Sequence, residues 1–107
     1  MIGYEMPSRL KTRGLRLYPT SINTAKGVKW GYINSKGQIV LKTKYDSASD
    51  FQGNGLAIVM VKDDYGIINI SGQYVVKPKY FNVSEFADGL ATVADSKGFK
   101  VIDEGGK

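Results

Sequence analysis

The chain repeats itself with a period of about 35 residues, and this repeat constrains the fold more than any other feature. Residues 31–51 and 66–86 are identical at 11 of 21 positions. After one deleted residue the match resumes, and a third copy begins at residue 99. A fixed period of this length is the signature of an array in which each unit packs against its neighbours. We divide the chain into a basic N-terminal segment (1–25), repeat 1 (26–62), repeat 2 (63–95) and the start of a third repeat (96–107).

Each repeat is predicted to form three short antiparallel strands. The predicted strands are 30–34, 38–42 and 56–62 in repeat 1, and 65–69, 73–77 and 90–94 in repeat 2. They are rich in aromatic and β-branched residues, and glycine-containing turns separate the first two. The third strand of repeat 1 is expected to turn at Asp63-Asp64 into the first strand of repeat 2. No segment has sustained helical periodicity. The prediction is an all-β fold of stacked three-stranded units, with a propeller-like or open-barrel arrangement of the same units as the alternative.

One such unit cannot bury its apolar face alone, so copies are expected to pack against one another. Within the first strand, Gly31 and Ile33 share one face while Trp30 and Tyr32 share the other. Both faces carry apolar side chains, as in a sheet that is covered on both sides. The core between units is predicted to contain the apolar residues that recur in both copies, namely Tyr45, Tyr80, Phe51, Phe86, Leu56 and Leu90.

The excess positive charge lies in the N-terminal part of the chain. The formal net charge is +5, and residues 1–29 hold six basic residues against Glu5, whereas residues 30–107 hold nine lysines and nine acids. A basic segment can attract nucleic acid or an anionic lipid surface. The candidate contacts are Arg9, Lys11, Arg13 and Arg16. In the same region, residues 14–18 are expected to be a degenerate third strand that pairs with 30–34, joined to it by a loop over 19–27.

The residues of the repeat resemble the WG (or KWG) repeat family over about residues 26–107. In the first copy the resemblance rests on Lys29-Trp30-Gly31-Tyr32-Ile33-Asn34, Lys36-Gly37, Lys44-Tyr45-Asp46, Phe51 and Gly55-Leu56-Ala57. The second copy has Tyr65 in place of the tryptophan, and the third has Phe99-Lys100 in place of the Trp-Gly pair. The resemblance implies a bacterial β-hairpin repeat of binding or scaffolding type, with no catalytic residues to carry over. Since any large aromatic residue suffices at the tryptophan position, we expect that position to be structural.

Composition excludes several kinds of chemistry. The chain has no histidine and no cysteine, so the commonest general base, metal ligand and thiol nucleophile are missing. Asp63-Asp64 falls at a predicted turn, and the remaining acidic pairs lack the dense spacing of a calcium loop. We therefore expect no catalytic residue, no metal site, no cofactor and no enzymatic activity. No stretch of the sequence is apolar enough for a transmembrane helix, and the localisation stays open.

Aromatic residues are the remaining candidates for binding. Tyr74 replaces Ile39 and Phe81 replaces Asp46 at equivalent repeat positions, so the repeat itself requires neither ring. With Trp30 and Tyr32 they form the candidate surface for a partner. We predict a non-catalytic binding or scaffolding module for a protein, a peptide or a cell-envelope glycan. The alternatives are a purely structural spacer in a longer array and a nucleic-acid or anionic-lipid adaptor acting through residues 9–29, with nucleic acid disfavoured. Stacking with further repeats, or self-association through an open edge, is also expected.

Overall fold

A computed structural model describes residues 16–107, which form ten β-strands and no helix. The strands are β1 (Tyr18–Thr24), β2 (Gly27–Ile33), β3 (Ile39–Tyr45), β4 (Ser47–Ala48), β5 (Leu56–Val61), β6 (Asp64–Asn69), β7 (Tyr74–Tyr80), β8 (Asn82–Val83), β9 (Leu90–Asp95) and β10 (Gly98–Asp103). No helix in this part of the chain is long and apolar enough to cross a membrane.

The strands form three antiparallel sheets in chain order. The first sheet has the order β1-β2-β3, the middle sheet β4-β5-β6-β7 and the third sheet β8-β9-β10, and none of them closes into a barrel. The predicted all-β stack of antiparallel units is confirmed. The sheets are out of phase with the sequence repeat, because the third strand of repeat 1 (β5) pairs with the first strand of repeat 2 (β6). A single residue joins one sheet to the next, Asp46 in the first connection and Phe81 in the second.

Two apolar clusters hold the three sheets together. The first joins the first sheet to the middle one and is built from buried Tyr32, Tyr45, Ala57, Val59 and Ile68. The second joins the middle sheet to the third and is built from Leu56, Ile67, Val76, Tyr80, Ala91, Val93 and Ile102. The middle sheet is therefore covered on both faces, as the alternation within its strands predicts. Phe51 and Phe86 are half-buried against the first and second cluster respectively.

A wide bulge distorts the same place in the first and middle sheets. Trp30 pairs with Tyr45 and Tyr32 pairs with Leu41, so three residues of β3 lie opposite the single residue Gly31. The same register shift places residues 77–79 of β7 opposite Gly66. Such a bulge bends the strand and frees ladder positions, which is why Pro78 fits inside an edge strand.

An Asx-based turn follows the first strand of all three copies, and in the first two copies it closes a hairpin. The Asn34 side-chain oxygen accepts hydrogen bonds from the Lys36 and Gln38 backbone N–H groups, at 2.9 and 3.0 Å. Asn69 and Asp103 do the same for the residues two and four positions further on. The two backbone donors lower the pKa of the Asp103 carboxyl below its ordinary value.

Three local predictions need correction. The N-terminal strand is β1, Tyr18–Thr24, and most of the expected loop is strand. Of the predicted strand 14–18, residues 14 and 15 lie outside the described residues and residues 16 and 17 precede β1. Pro19 is tolerated because β1 lies at a sheet edge. The turn between β5 and β6 is Lys62-Asp63, one residue earlier than expected, and both residues have positive φ (52° and 73°), as a tight two-residue hairpin requires. The second strand of each repeat is longer than predicted and ends at Tyr45 or Tyr80.

Candidate binding surface on the third sheet

The third sheet has one covered face and one open face. Because paired residues share a face, Ala91 with Ile102 and Val93 with Lys100 form the side that packs toward the middle sheet. The other side carries the pairs Leu90–Asp103, Thr92–Val101 and Ala94–Phe99, of which Ala94 is buried. We call the exposed residues Leu90, Thr92, Phe99 and Val101 the terminal face.

The terminal face is the structural equivalent of a face that is buried in the middle sheet. Leu90 and Val101 occupy the positions of Leu56 and Ile67. Leu56 is 7% exposed and Ile67 is 0% exposed because the third sheet covers them, whereas Leu90 is 51% and Val101 is 59% exposed. Phe99, at the position of half-buried Tyr65, is 75% exposed. The prediction that Leu90 lies in the core is therefore wrong, since no sheet among the described residues packs over it.

The edge of β10 differs from the corresponding edges of β2 and β6 by one residue. A Cβ atom added at Gly31 would lie 2.5 Å from the Leu41 carbonyl oxygen, and one added at Gly66 would lie 2.6 Å from that of Val76. Both distances are far below ordinary van der Waals contact, so the bulged strand can approach only a glycine. Lys100 stands at this position in the third copy, and its ammonium group lies 5.7 Å from the centre of the Tyr80 ring. A strand with the geometry of β7 cannot pair with β10 while Lys100 is there.

The comparison with protein families agrees with this repeated geometry. The model of the WG containing repeat matches residues 30–64 and 65–94, which together make up more than half of the chain. The chain belongs to the WG repeat family. The glycine that names the family is thus the residue against which the bulged strand packs, and the neighbouring aromatic residue is Trp30 in one WG repeat and Tyr65 in the next. Neither the search of curated proteins nor the search of solved structures returned a match.

The structure separates the four aromatic residues that the sequence selects for a binding surface. Tyr74 is 38% and Phe81 is 59% exposed. Trp30 is half-buried against the first apolar cluster, which is a structural position for the WG tryptophan. Tyr32 is completely buried, and its hydroxyl donates to the Ser49 carbonyl oxygen at 2.6 Å, so it does not belong to any surface. Tyr74 begins β7 and Phe81 follows its last residue, so the two exposed rings lie at opposite ends of this strand.

Phe81 and Asp46 show how one position of the WG repeat serves two roles. The Asp46 carboxylate binds the Lys29 ammonium group and accepts a hydrogen bond from the Lys62 backbone N–H at 2.7 Å. These two donors lower the pKa of the Asp46 carboxyl below its ordinary value. Phe81 has no such partner for its ring and lies just before the third sheet, with its N–H donating to the Ala94 carbonyl oxygen. Its ring is exposed at the connection between the middle and third sheets.

The predicted electrostatic contacts are only partly described. Arg9, Lys11 and Arg13 lie outside the described residues. Arg16 is exposed and lines a shallow cavity of about 250 Å³ together with Lys36, Leu17, Val40 and Ile70. The cavity brings two cationic side chains beside apolar ones and beside the polar side chains of Asn34, Ser35 and Gln38.

Sequence reasoning missed the terminal face. The sequence predicts Leu90 in the core because an apolar residue recurs there and at Leu56, and Val101 is an apolar strand residue that a core could equally contain. One signal in the sequence does mark this end as different. Lys100 breaks the Trp-Gly pattern, and a charged side chain within an edge strand is typical of a sheet whose ladder stops there.

We predict that alkaline pH destabilises the fold through two buried tyrosines. Burial raises the pKa of the Tyr32 hydroxyl, with smaller contributions from Tyr45 and Asp50, and burial likewise raises that of Tyr45. A tyrosine whose pKa is raised by folding contributes full stability below its unfolded pKa of about 10. That contribution is lost as the pH rises toward the folded pKa. Urea unfolding between pH 8 and 11.5 should show the decrease, and Tyr32→Phe should show a shallower one. Parallel curves for the two proteins would contradict the assignment to Tyr32.

Proposed function

We propose that this chain is a non-catalytic scaffolding module of the WG repeat family that binds a protein partner through the terminal face. One observation carries the proposal: Leu56 and Ile67 are buried between the middle and third sheets, whereas their equivalents Leu90 and Val101 are more than half exposed. A contiguous exposed patch of aromatic and β-branched side chains is typical of an interaction site.

The chemistry of the face favours a protein over a glycan. Its polar side chains are Thr92 and Asp103, which pairs with Leu90, and one Asp103 carboxylate oxygen already accepts hydrogen bonds from the Gly105 and Lys107 backbone N–H groups. Recognition of a sugar needs hydrogen-bonding groups that converge beside an aromatic ring. The face is also a flat sheet surface, which suits another sheet better than a single extended peptide. Strand addition at the β10 edge is disfavoured because Lys100 projects where the bulged strand of a WG repeat lies in the other two sheets.

Two carboxylates have structural partners that account for their positions. Asp46 is paired with Lys29, and Asp103 accepts hydrogen bonds from the backbone of the last turn. Both carboxylates thus stabilise backbone or a neighbouring cation, which supports a module without catalytic groups.

Site-directed photocrosslinking tests the proposal. We would place p-benzoylphenylalanine at position 99 or 101 of the full chain, and at position 40 as the matched control, because Val40 is also exposed but lies on β3 of the first sheet. Irradiation in cells that express the chain should give a defined protein adduct from positions 99 and 101 and none from position 40. The recovered partner should then bind Phe99→Lys at least about tenfold more weakly than the unmodified chain. Equal labelling from position 40, or no adduct from either terminal position, would exclude the face as a binding site and favour a structural spacer.

A further inference from the structure

The two interfaces inside the chain follow one stacking rule. In the first interface, the face of the first sheet that carries Tyr32 packs on the middle sheet. In the second, the face of the middle sheet that carries Ile67, the equivalent of Tyr32, packs on the third sheet. The following sheet presents Ala57, Val59 and Ile68 in the first case, and their equivalents Ala91, Val93 and Ile102 in the second. The stack therefore has a direction. We call the face that carries Tyr32 or its equivalents the donor face, and the face of the next sheet on which it packs the acceptor face.

Both kinds of face are left uncovered at the two ends of the described chain. The terminal face is a donor face without an acceptor. The outer side of the first sheet is an acceptor face without a donor, and it consists of Tyr18, Thr20 and Ile33, which pair across β1 and β2 as Ala57, Val59 and Ile68 do across β5 and β6. Tyr18 is 43% exposed and the other two are half-buried, whereas their equivalents in the middle sheet are at most 1% exposed.

From this complementarity we infer that the partner of the terminal face is a second copy of this chain, whose first sheet continues the stack head to tail. The inference rests on the proposed docking function of the terminal face. Such an interface is heterologous, because the two copies use different surfaces, and it repeats along an open chain of copies unless the rotation closes a ring.

The sizes of the side chains partly compensate at the new interface. In the first cluster the large Tyr32 faces the small Ala57, and in the second the medium-sized Ile67 faces the small Ala91. At the end of the stack the donor position is reduced to Val101 and the acceptor position is enlarged to Tyr18. The large residue therefore lies on the opposite side of the interface, and the smaller donor residue offsets it in part, because Tyr with Val is two carbon atoms larger than Tyr with Ala.

The charges of the two ends are opposite. The first sheet and its leading residues, 16–45, hold six basic residues and no acid, a net charge of +6. Residues 82–107, which contain the third sheet, hold five acids and three lysines, a net charge of −2. Head-to-tail contact brings these ends together, whereas a two-fold contact between two terminal faces brings two acidic ends together. The charge pattern therefore favours the directional arrangement and predicts that salt weakens it.

One contact within the chain is missing from this interface. Between the repeats, the Gln52 amide donates to the Phe86 carbonyl oxygen at 3.1 Å and accepts from the Phe86 N–H at 2.9 Å. The equivalent of Gln52 in repeat 2 is Ala87, which has no amide to offer. Association of copies then depends on apolar contact and long-range charge, and we expect it to be weak and reversible.

A mixing experiment with two variants tests direction as well as association. Phe99→Lys disables the donor face and leaves the acceptor face intact, while Tyr18→Glu does the reverse. Sedimentation velocity of the full chain from about 10 µM to 1 mM should show concentration-dependent oligomers for the unmodified protein, with the association constant reduced about tenfold or more in each variant alone. An equimolar mixture should form a 1:1 heterodimer, because the intact donor of Tyr18→Glu meets the intact acceptor of Phe99→Lys. Val40→Glu is the control for an added surface charge and should associate like the unmodified chain.

The outcomes separate this inference from the function on which it rests. A monomer at every concentration overturns the inference, as does a Tyr18→Glu variant that still self-associates, which is the result for a two-fold contact through the terminal face. If Tyr18→Glu lowers the folded fraction measured by circular dichroism, Thr20→Glu serves the same purpose on the same face. A photocrosslink from position 99 to a different protein, found together with a monomeric chain, would retain the proposed docking function and reject the second copy as its partner.

Discussion

Substitution of Gly66 by alanine is expected to lower the free energy of unfolding by about 3 kcal/mol. The new methyl group would lie 2.6 Å from the Val76 carbonyl oxygen and 2.8 Å from the Pro78 nitrogen, and both atoms belong to backbone that cannot rotate away. Relief requires β7 to separate from β6, which loosens the Tyr80 side of the second apolar cluster. Urea unfolding followed by tryptophan fluorescence and circular dichroism gives the measurement.

Two control variants keep the interpretation of Gly66→Ala specific. Lys100→Ala changes the equivalent residue of β10, where no strand lies opposite among the described residues, and should shift the unfolding free energy by less than about 0.5 kcal/mol. Gly105→Ala adds a methyl group whose nearest neighbour, Asp103 Oδ1, is 3.4 Å away, and it should be similarly mild. If Gly66→Ala is as stable as these controls, β7 does not approach β6 in the bulged register.

Truncation of Tyr32 to alanine is the second large effect, with an expected loss of about 4 kcal/mol. The ring is fully buried, its centre lies 4.7 Å from the Phe51 ring and 6.5 Å from the Tyr45 ring, and it fills the space between the first and middle sheets. Tyr32→Phe keeps the ring and removes only the hydrogen bond to the Ser49 carbonyl oxygen, so its cost should be about 1 kcal/mol. Thermal and urea unfolding of the two variants separates packing from hydrogen bonding.

Tyr74→Ala is the matched control for Tyr32→Ala, because it removes the same side chain from a position that is 38% exposed. It should cost less than about 1 kcal/mol, since less apolar area returns to water and little cavity forms. Equal losses at Tyr32 and Tyr74 would contradict the assignment of Tyr32 to the core and return it to the set of surface candidates.

The strands and their stacking follow from the sequence, whereas the limits of each sheet do not. Alternation at Trp30, Gly31, Tyr32 and Ile33 predicts a strand covered on both faces because side chains point to opposite sides at successive residues. The same alternation continues through Asp46 and Phe81, where the chain leaves one sheet and enters the next. Because each connection is a single residue, no run of loop-forming residues marks the boundary between two sheets in the sequence.

The functional surface is harder to predict than the core for a related reason. Leu90 and Leu56 occupy the same repeat position, and no property of either residue reports whether a neighbouring sheet is present. Burial of this position depends on whether another sheet packs against that face, which is a property of the tertiary structure. The aromatic residues that stand out in the sequence, Trp30 and Tyr32, stand out because the repeat needs them in its core. What distinguishes the terminal face is the difference in exposure between equivalent positions of two sheets, and a sequence does not contain that quantity.

The pairing of every strand with a near neighbour in the sequence has a consequence for synthesis. Each ladder joins two consecutive strands, so the loop that is closed when the ladder forms is short. Closing a short loop costs little chain entropy. The middle sheet consists of residues 47–80 alone, so it can form as soon as this segment has left the ribosome. Each newly completed sheet can then settle on the one made before it, and the molecule grows in the direction of translation. Its donor face is always the last surface to be made.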